Sequence, residues 1–189
     1  MSNLDLSVSS FLRDGFNLKD HLTNFLQINN DQLDERLLRG VDDLAALHPG
    51  AFSQNDAGEF YEDKVGDAHL IDLASWHLNS SNYIADTLRL QKKFAHGRVL
   101  DFGGGIGTHA LAASSLSEVE HVWFVDLNPQ NRSFVEQRAK QLGIRDQISV
   151  HRDLESISNV IFDSVICLDV LEHLPNPSKQ LGIFLEKLS

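Results

Sequence analysis

The chain has 189 residues, of which 42% are hydrophobic and 23% charged, and this is sufficient for a globular fold around one core. Its formal net charge of -11 argues against a nucleic-acid partner, because binding to a phosphate backbone depends on lysine and arginine. No apolar run approaches the length of a membrane span, and the first residues lack a signal-peptide pattern, so we expect no membrane partner.

Residues 1–95 have a helical pattern and form a predicted amino-terminal region that would lie over a ligand pocket as a lid. A short helix is predicted from Asn17 to Gln27. Asn30 is expected to cap a helix from Asp31 to about His48, which Pro49-Gly50 would end. A longer helix is predicted from about Asp67 to Lys92. The side chains expected to face inward are Leu33, Leu37, Val41, Leu44, Leu47, Leu70, Leu73, Ala74, His77 and Leu78.

Residues 96–189 alternate between strand and helix patterns, which predicts an α/β domain with a parallel sheet and right-handed crossovers. The first helix is expected from Ile106 to about Leu116. Asn128-Pro129 and Asn176-Pro177 each pair a capping residue with a proline at the first helical position. Gly143 would end the helix that starts at Pro129. The predicted strands are Val99–Phe102, Val122–Val125, Ile148–Val150 and Val165–Leu168, and the last helix is expected to turn Leu181, Phe184, Leu185 and Leu188 inward.

The stretch RVLDFGGGIGTHAL, residues 98–111, places glycines between a predicted strand and a predicted helix. Glycines there allow positive φ and bring bare backbone close to a ligand, next to the free N–H groups of the helix. A dinucleotide fingerprint, G-x-G-x-x-G, would need a third glycine where the chain has Thr108 or Ala110, so that reading is weakened. The pattern that fits without adjustment is D-x-G-x-G-x-G, formed by Asp101, Gly103, Gly105 and Gly107.

This loop resembles the first motif of class I S-adenosylmethionine-dependent methyltransferases. Three later stretches resemble further motifs of that family in the same order: HVWFVDLNP at 121–129, HRDLES at 151–156 and FDSVICLDVLEHLPNP at 162–177. The Leu-Glu-His-Leu run is similar to the small-molecule branch of the family. The resemblance covers residues 98–188. It implies a Rossmann-like parallel sheet of order 3-2-1-4 with helices on both faces, and S-adenosylmethionine as cofactor, with S-adenosylhomocysteine as product.

The resemblance also assigns site residues. Asp126 would bind the ribose hydroxyls, and its position about 20 residues past the loop agrees with that role. Asp153 would hold the exocyclic amine of adenine, and His173 could act as a base toward the acceptor. Each has an alternative, since Asp101, Asp126 and Asp153 could brace loops or cap helices and His173 could brace its own loop. The remaining cofactor contacts implied are Gly103, Gly104, Gly105, Gly107, Leu127, Leu154 and Leu168.

Other aromatic and histidine residues are weaker candidates. Tyr61, His77 and Tyr83 lie in the region expected to cover the pocket, where each could touch a ligand or simply be packed, and His109 is interpreted as structural. Ile106 could lie beside the cofactor or belong to the core. The nine histidines have no tight ligand spacing, so no metal site is predicted.

Three hypotheses of function follow, of which methyl transfer to a small molecule is preferred. The second is a catalytically inactive cofactor-binding module, and the third is a nicotinamide-dependent oxidoreductase. The single cysteine, Cys167, cannot form an internal disulfide, which fits a cytoplasmic location. The family's sheet usually has seven strands. We therefore expect a chain truncated after the fourth strand and helix. The alternatives are that a dimer partner or second chain covers the fourth-strand edge, or that the helical amino-terminal region does.

Overall fold

The computed structural model describes residues 5–47 and 56–189, in which helices precede and surround one four-stranded sheet. The strands pair in parallel throughout and are ordered β3-β2-β1-β4. The predicted α/β class and Rossmann-like strand order are therefore confirmed. The strands are β1 (Gly97–Phe102), β2 (Val119–Val125), β3 (Ile148–His151) and β4 (Ser164–Ile166). The helices are α1 (Val8–Asp14), α2 (Leu18–Leu26), α3 (Asn30–Ala46), α4 (Ala57–Glu59), α5 (Gly66–Asn79), α6 (Ser81–Phe94), α7 (Thr108–Ser114), α8 (Pro129–Gln141) and α9 (Pro177–Lys187).

Shorter helical turns connect these elements. A π-helix, Phe60–Lys64, follows α4 directly. Three 3₁₀ turns flank the strands, at Arg145–Gln147, Glu155–Ile157 and Leu171–His173. No helix within the described ranges is both long enough and apolar enough to cross a membrane.

Alternate residues of the two central strands face two different cores, as the pleat of a strand requires. Val99 and Phe124 belong to one core, which α1, α6, α7 and α8 cover. Leu100 and Val125 belong to the other core, where Phe184 of α9 is buried. Helices therefore lie on both faces of the sheet, and the carboxyl ends of all four strands meet at one edge.

A third hydrophobic cluster joins the amino-terminal helices to the sheet domain. Leu22, Leu33 and Leu70 come from α2, α3 and α5, and all three are fully buried. They pack with Ile106 of the glycine loop and with Phe134 of α8. The cluster thus contains residues from both sides of the domain boundary that the sequence predicts near residue 95. Through Ile106, it also packs the glycine loop against the amino-terminal helices.

Local sequence signals located the ends of several elements correctly. The Asn128 side chain accepts hydrogen bonds from the backbone amides of Gln130 and Asn131, and Pro129 begins α8. Gly143 has a φ of 72°, the left-handed conformation expected just past a helix. The Asn176 side chain caps α9 in the same way.

Two predicted helices differ from those observed. The helix predicted from Asp67 to Lys92 is two helices, because the polar run from Asn79 to Asn82 breaks it at Ser80. The helix predicted from Asp31 begins at Asn30 instead, with Asn29 as its cap in a capping box with Gln32. Its predicted stop at Pro49-Gly50 lies outside the described residues.

The inward faces predicted for α3 and α9 are only partly correct. Val41 and Leu47 of the α3 stripe are exposed, because α5 packs against the face of that helix that carries Leu33, Leu37 and Gly40. In the α9 region, Phe184 is buried, whereas Leu181, Leu185 and Leu188 are exposed, with Leu185 72% accessible. Only one side of α9 meets the sheet, and β4 itself pairs along its length with β1 alone among the described residues. At the start of β4, an isolated parallel bridge joins Phe162 to Leu188.

Candidate functional site

The glycine loop, residues 103–107, connects β1 to α7 at the carboxyl edge of the sheet. Gly103, Gly105 and Gly107 have φ values of 69°, 56° and 76°, all in the left-handed region that disfavours other residues. A Cβ at Gly107 would lie 2.6 Å from Val135, so side-chain space is also absent there. Two amides of the loop donate to backbone carbonyls: Gly103 to Val125 at 2.7 Å and Gly107 to Gly104 at 2.9 Å.

Asp126 follows β2 directly, and its carboxylate is anchored to the glycine loop. The Gly105 amide donates to Asp126 Oδ2 at 2.9 Å, and the Asn128 amide donates to Oδ1 at 2.8 Å. The Asn131 side-chain amide adds a longer bond of 3.3 Å to Oδ1. Burial raises the pKa of Asp126 to about 6, although these hydrogen bonds oppose the shift. Oδ2 keeps lone-pair capacity for a further donor, whereas Oδ1 already accepts from two groups.

Asp101 lies in β1, immediately before the loop, and is 2% exposed. Its Oδ2 is a buried atom that has no hydrogen-bond partner among the described residues. Burial raises its pKa to about 7, and the nearby charge of Asp126 adds to that effect, while the Ala110 amide opposes it. Burial raises the pKa of the half-buried Cys167 thiol to about 12, and the charge of Asp101 contributes. This thiol is therefore not a nucleophile at neutral pH.

We call residues 103–107 together with Asp101 and Asp126 the cradle. Two acids and a run of bare backbone suit a ligand that brings hydroxyl donors and positive charge. A pyrophosphate would place negative charge beside two buried carboxylic acids, which electrostatics disfavours. The orphaned Oδ2 of Asp101 is the clearest structural indication that the cradle lacks a donor that a ligand would provide.

A second set of residues lies at the outer side of the cradle, and we call it the rim: Tyr61, Tyr83, Asp169, Glu172 and His173. The Tyr61 ring contacts the His173 ring edge-on, with the centroids 6.1 Å apart. The Tyr83 hydroxyl donates to both carboxylate oxygens of Asp169, at 3.2 Å and 3.3 Å. Burial raises the pKa of Tyr61, and the charges of Asp72, Asp126 and Glu172 contribute, which shows that these acids surround the ring.

Asp169 has a backbone conformation that is uncommon for a non-glycine residue, although aspartate adopts it more readily than most. Its φ is 54°, so it is one of the few non-glycine residues in the left-handed region, and its side chain is exposed. Such conformations are retained where the surrounding structure imposes them, and they are frequent in functional sites. Glu172 and His173, three and four residues further on, are both exposed. The rim is therefore polar and open to solvent, in contrast to the cradle.

The segment after β3 forms an ion pair with the amino-terminal region. Arg152 donates from Nε and Nη2 to the two oxygens of Glu62 in the π-helix, at 2.5 Å and 2.6 Å. Its Nη1 also donates to Asp153 Oδ2 at 2.6 Å. Asp153 Oδ1 accepts from the Ser156 amide at 3.0 Å, so this acid caps a 3₁₀ turn in the free chain. Leu154 packs beneath this turn as a half-buried member of the second sheet core.

The other predicted positions divide between the cradle and the core. Leu127 and Leu168 are half-buried, and Leu168 lies just past the end of β4 rather than within it. Ile106 is fully buried in the cluster that joins loop and helices, so it is a core residue. His77 is buried and forms a hydrogen bond with the Thr108 hydroxyl at 3.1 Å, and His109 forms one with the Thr87 hydroxyl at 2.9 Å.

Two arginines that the sequence reasoning did not single out brace the site. Arg132 donates to the carbonyl oxygens of Asp126 and Leu127 at 2.8 Å and 2.6 Å, which fixes the turn after β2. Arg138 is completely buried and donates to the Ile106 carbonyl at 3.0 Å. A signal for Arg138 exists in the sequence, since it shares one face of α8 with Phe134, Val135 and Ala139.

Fold and cradle together define a parallel α/β domain that takes its ligand at the carboxyl ends of the strands. A family described as "Methyltransferase domain" matches residues 75–189, which is more than half of the chain, and the chain belongs to this family. The family indicated by the four motifs is therefore confirmed, and the cofactor that accompanies it is S-adenosylmethionine.

Comparisons with individual proteins add less. Twelve chains of solved structures match. One of them, described as "PigF with SAH", is 19% identical, with a TM-score of 0.41 over 77% of this chain. The match covers 44% of that protein, so this chain spans less than half of its length. No curated protein matches the sequence significantly.

Proposed function

We propose that this chain transfers a methyl group from S-adenosylmethionine to a small-molecule acceptor. The single observation that carries the proposal is the contact between the Asp126 carboxylate and the Gly105 amide, inside a loop of left-handed glycines. That contact aligns a strand-end acid with bare backbone, the arrangement that a nucleoside sugar requires. When bound, the cofactor supplies a methyl group on a sulfonium centre for in-line displacement.

The residues of the cradle have separable roles in this proposal. Asp126 accepts hydrogen bonds from the ribose hydroxyls, and its charge strengthens them. Asp101 balances the positive charge of the cofactor's amino group, using the Oδ2 atom that has no partner among the described residues. The glycine backbone of residues 103–107 lies against the amino-acid portion of the cofactor, where any side chain would intrude.

The adenine end of the cofactor is assigned to the carboxyl edge of β3. Parallel strands end at the same edge, and Val125 of β2 is the register partner of His151 in β3, so Asp126 and Asp153 both follow strands at this edge. We assign the exocyclic amine to Asp153, whose Oδ2 is at present paired with Arg152. Leu127, Leu154 and Leu168 are the apolar residues proposed to contact the ring, and each is only half-buried in the free chain.

The rim is the proposed acceptor side of the site. His173 is exposed and lies beside the Tyr61 ring, in a position to take a proton from an acceptor hydroxyl. A base is needed only when the acceptor loses a proton, so His173→Asn should slow transfer to hydroxyl acceptors while leaving the binding of S-adenosylhomocysteine within about twofold. The acidic surface and the Leu-Glu-His-Leu run favour a small molecule over nucleic acid.

One observation favours the second candidate, an inactive binding module. In the free chain, Leu73 lies 2.9 Å from the position of a Cβ on Gly105, and Val170 lies 2.5 Å from the same position on Gly103. Apolar side chains therefore already cover part of the glycine backbone. An active enzyme has to move them aside, whereas a degraded site would remain closed.

Titration calorimetry and a turnover assay separate the two candidates. Wild-type protein is titrated with S-adenosylhomocysteine, with NADH as a control for the dinucleotide alternative. It is then incubated with S-adenosylmethionine and a panel of small hydroxyl and amine acceptors, and the release of S-adenosylhomocysteine is followed. Binding with turnover supports the enzyme, and binding without turnover supports the module. If S-adenosylhomocysteine gives neither heat nor a shift in melting temperature, both candidates are wrong.

We also propose a cytoplasmic setting, which the single cysteine supports. We further propose that a second chain pairs with the outer edge of β4. Gel filtration with light scattering, at several protein concentrations, tests the assembly. A monomer throughout the concentration range would contradict it.

A further inference from the structure

A buried arginine, Arg138, connects the cradle to the amino-terminal helices. It is fully buried in α8, and its guanidinium lies 5.6 Å from the centroid of the Phe134 ring. Within the described part of the chain it donates to four acceptors, three backbone carbonyls and one histidine nitrogen, and none of them is a carboxylate. Burial lowers its pKa to about 9, so it still carries its charge at neutral pH.

Arg138 holds one specific peptide group of the glycine loop. Its Nη1 donates to the Ile106 carbonyl at 3.0 Å, and the amide of the same peptide, on Gly107, donates to the Gly104 carbonyl at 2.9 Å. The peptide between Ile106 and Gly107 is thus fixed at both ends. The Gly104 carbonyl belongs to the same peptide group as the Gly105 amide, so the bond that it accepts from Gly107 also constrains the direction in which the Gly105 amide points toward Asp126.

The other end of the guanidinium binds the turn between α1 and α2. Nη2 donates to the carbonyls of Gly15 and Phe16 at 2.9 Å and 3.2 Å, and Nε donates to His21 Nδ1 at 3.1 Å. Residues 15, 16 and 17 all have positive φ, although two of them are not glycine. A strained turn of this kind persists where its carbonyls have a partner that compensates for the strain.

We propose that Arg138 is a positioning residue for cofactor binding, which makes residues 15–21 part of the support of the cradle although they do not touch the ligand. The inference rests on the proposed function. It attributes to Arg138 the alignment of the Gly105 amide with Asp126, and it predicts that damage to the amino-terminal turn weakens cofactor binding at a distance.

The test compares Arg138→Lys with a control variant, each measured at the same interval below its own melting temperature. A lysine keeps the charge but has a single ammonium group, which cannot reach the Ile106 carbonyl and the α1–α2 turn at once. The matched control is Phe162→Leu, in the core on the other side of the sheet, with temperature chosen so that both proteins are equally far below their melting points. We expect Arg138→Lys to bind S-adenosylhomocysteine about tenfold more weakly, while the control stays within twofold of wild type.

A second readout reports on the loop without a ligand. Hydrogen exchange of the amides in residues 103–107 should accelerate in Arg138→Lys but not in Phe162→Leu, which a purely global loss of stability would not produce. His21→Leu, which removes one acceptor and leaves both carbonyl anchors, should show a smaller effect of the same kind. It carries the test if Arg138→Lys does not fold.

The outcomes separate this inference from the proposed function. If wild type does not bind S-adenosylhomocysteine, the proposed function is wrong, and the exchange experiment still decides the role of Arg138. If folded Arg138→Lys binds normally and its loop exchanges at the wild-type rate, the inference is overturned. Exchange of the wild-type loop as fast as in an unstructured peptide would overturn it without any variant.

Discussion

The cradle and the rim differ in how firmly the rest of the chain holds them. In the cradle, Asp101 and Asp126 are almost completely buried, and both are surrounded by backbone of fixed geometry. In the rim, Asp169 and His173 are exposed, and the contacts described for them are with the side chains of Tyr83 and Tyr61 from the amino-terminal region. A ligand that is the same in every reaction suits the buried cradle, whereas a ligand that varies suits the exposed rim. The comparison indicates where substitutions should abolish binding and where they should only modify it.

The largest expected effect is that of adding one methyl group to the cradle. Gly105→Ala forces a residue with a Cβ into a φ of 56°, at a cost of roughly 1–2 kcal/mol, and directs that Cβ at Leu73. We expect binding of S-adenosylhomocysteine to fall more than about 100-fold, because the displaced backbone can no longer align with Asp126. Calorimetry measures the loss.

Gly182→Ala, in α9, is the matched control, because it has a φ outside the left-handed region and no atom within 4 Å of its added Cβ. It should bind normally and be slightly more stable. Equal binding by both alanine variants would show that the glycine backbone is not part of the ligand site.

Asp126→Asn should have the next largest effect. The two carboxylate oxygens accept from Gly105 and Asn128, and an asparagine can accept on one side only, so one amide would face an NH₂ group. Hydrogen bonds to a charged group contribute about 1.5–3 kcal/mol, which predicts binding about 10- to 100-fold weaker. The exposed Asp86→Asn serves as control and should bind as wild type does. Unchanged affinity in Asp126→Asn would exclude a ribose contact at this acid.

The pH dependence of binding tests the cradle without any substitution. The pKa of Asp101 is raised to about 7 and that of Asp126 to about 6, both chiefly by burial. A ligand with a positive amino group binds the ionised acids, so affinity should increase as pH rises through this window and decrease below it. We expect roughly tenfold weaker binding at pH 5.5 than at pH 7.5.

Calorimetry in two buffers of different ionisation enthalpy would also detect the protons released on binding at pH 6. A flat profile between pH 5.5 and pH 7.5, with no proton release, would mean that neither acid faces the positive charge.

The smallest expected effect is that of breaking the ion pair between Arg152, just after β3, and Glu62 of the amino-terminal region. Arg152 and Glu62 form a two-point ion pair, but about half of the Arg152 side chain is exposed, so solvent screens the pair. Arg152→Ala should change the affinity for S-adenosylhomocysteine by no more than about two- to threefold, and high salt should reduce the difference further. A loss as large as that of Asp126→Asn would move this pair from the periphery of the site to its centre.

The sequence predicted the elements whose signals are local. The strand-loop-helix unit around Gly103, the Asn128-Pro129 start of α8 and the stop at Gly143 depend on residues within one turn of each other. The strand order followed from the family resemblance. The class of the fold was therefore accessible from the sequence.

Features that depend on distant packing were not predicted. The exposure of Leu185 results from which elements are adjacent in space, and helical periodicity does not contain that information. The role of Arg138 requires carbonyls from residues 15, 16 and 106, which are far apart in sequence. In the same way, periodicity could not show that Asp101 would be left with an orphaned oxygen atom.

The bond between the Gly105 amide and Asp126 has a consequence for selectivity. Both oxygens of this acid are oriented before any ligand arrives, so little conformational freedom remains to be lost when the complex forms. Such a preorganised acceptor favours a ligand that presents its hydroxyl donors at that one place. Under the proposed function, a 2′-deoxy nucleoside offers one donor instead of two, and we therefore expect it to bind more weakly than the ribonucleoside.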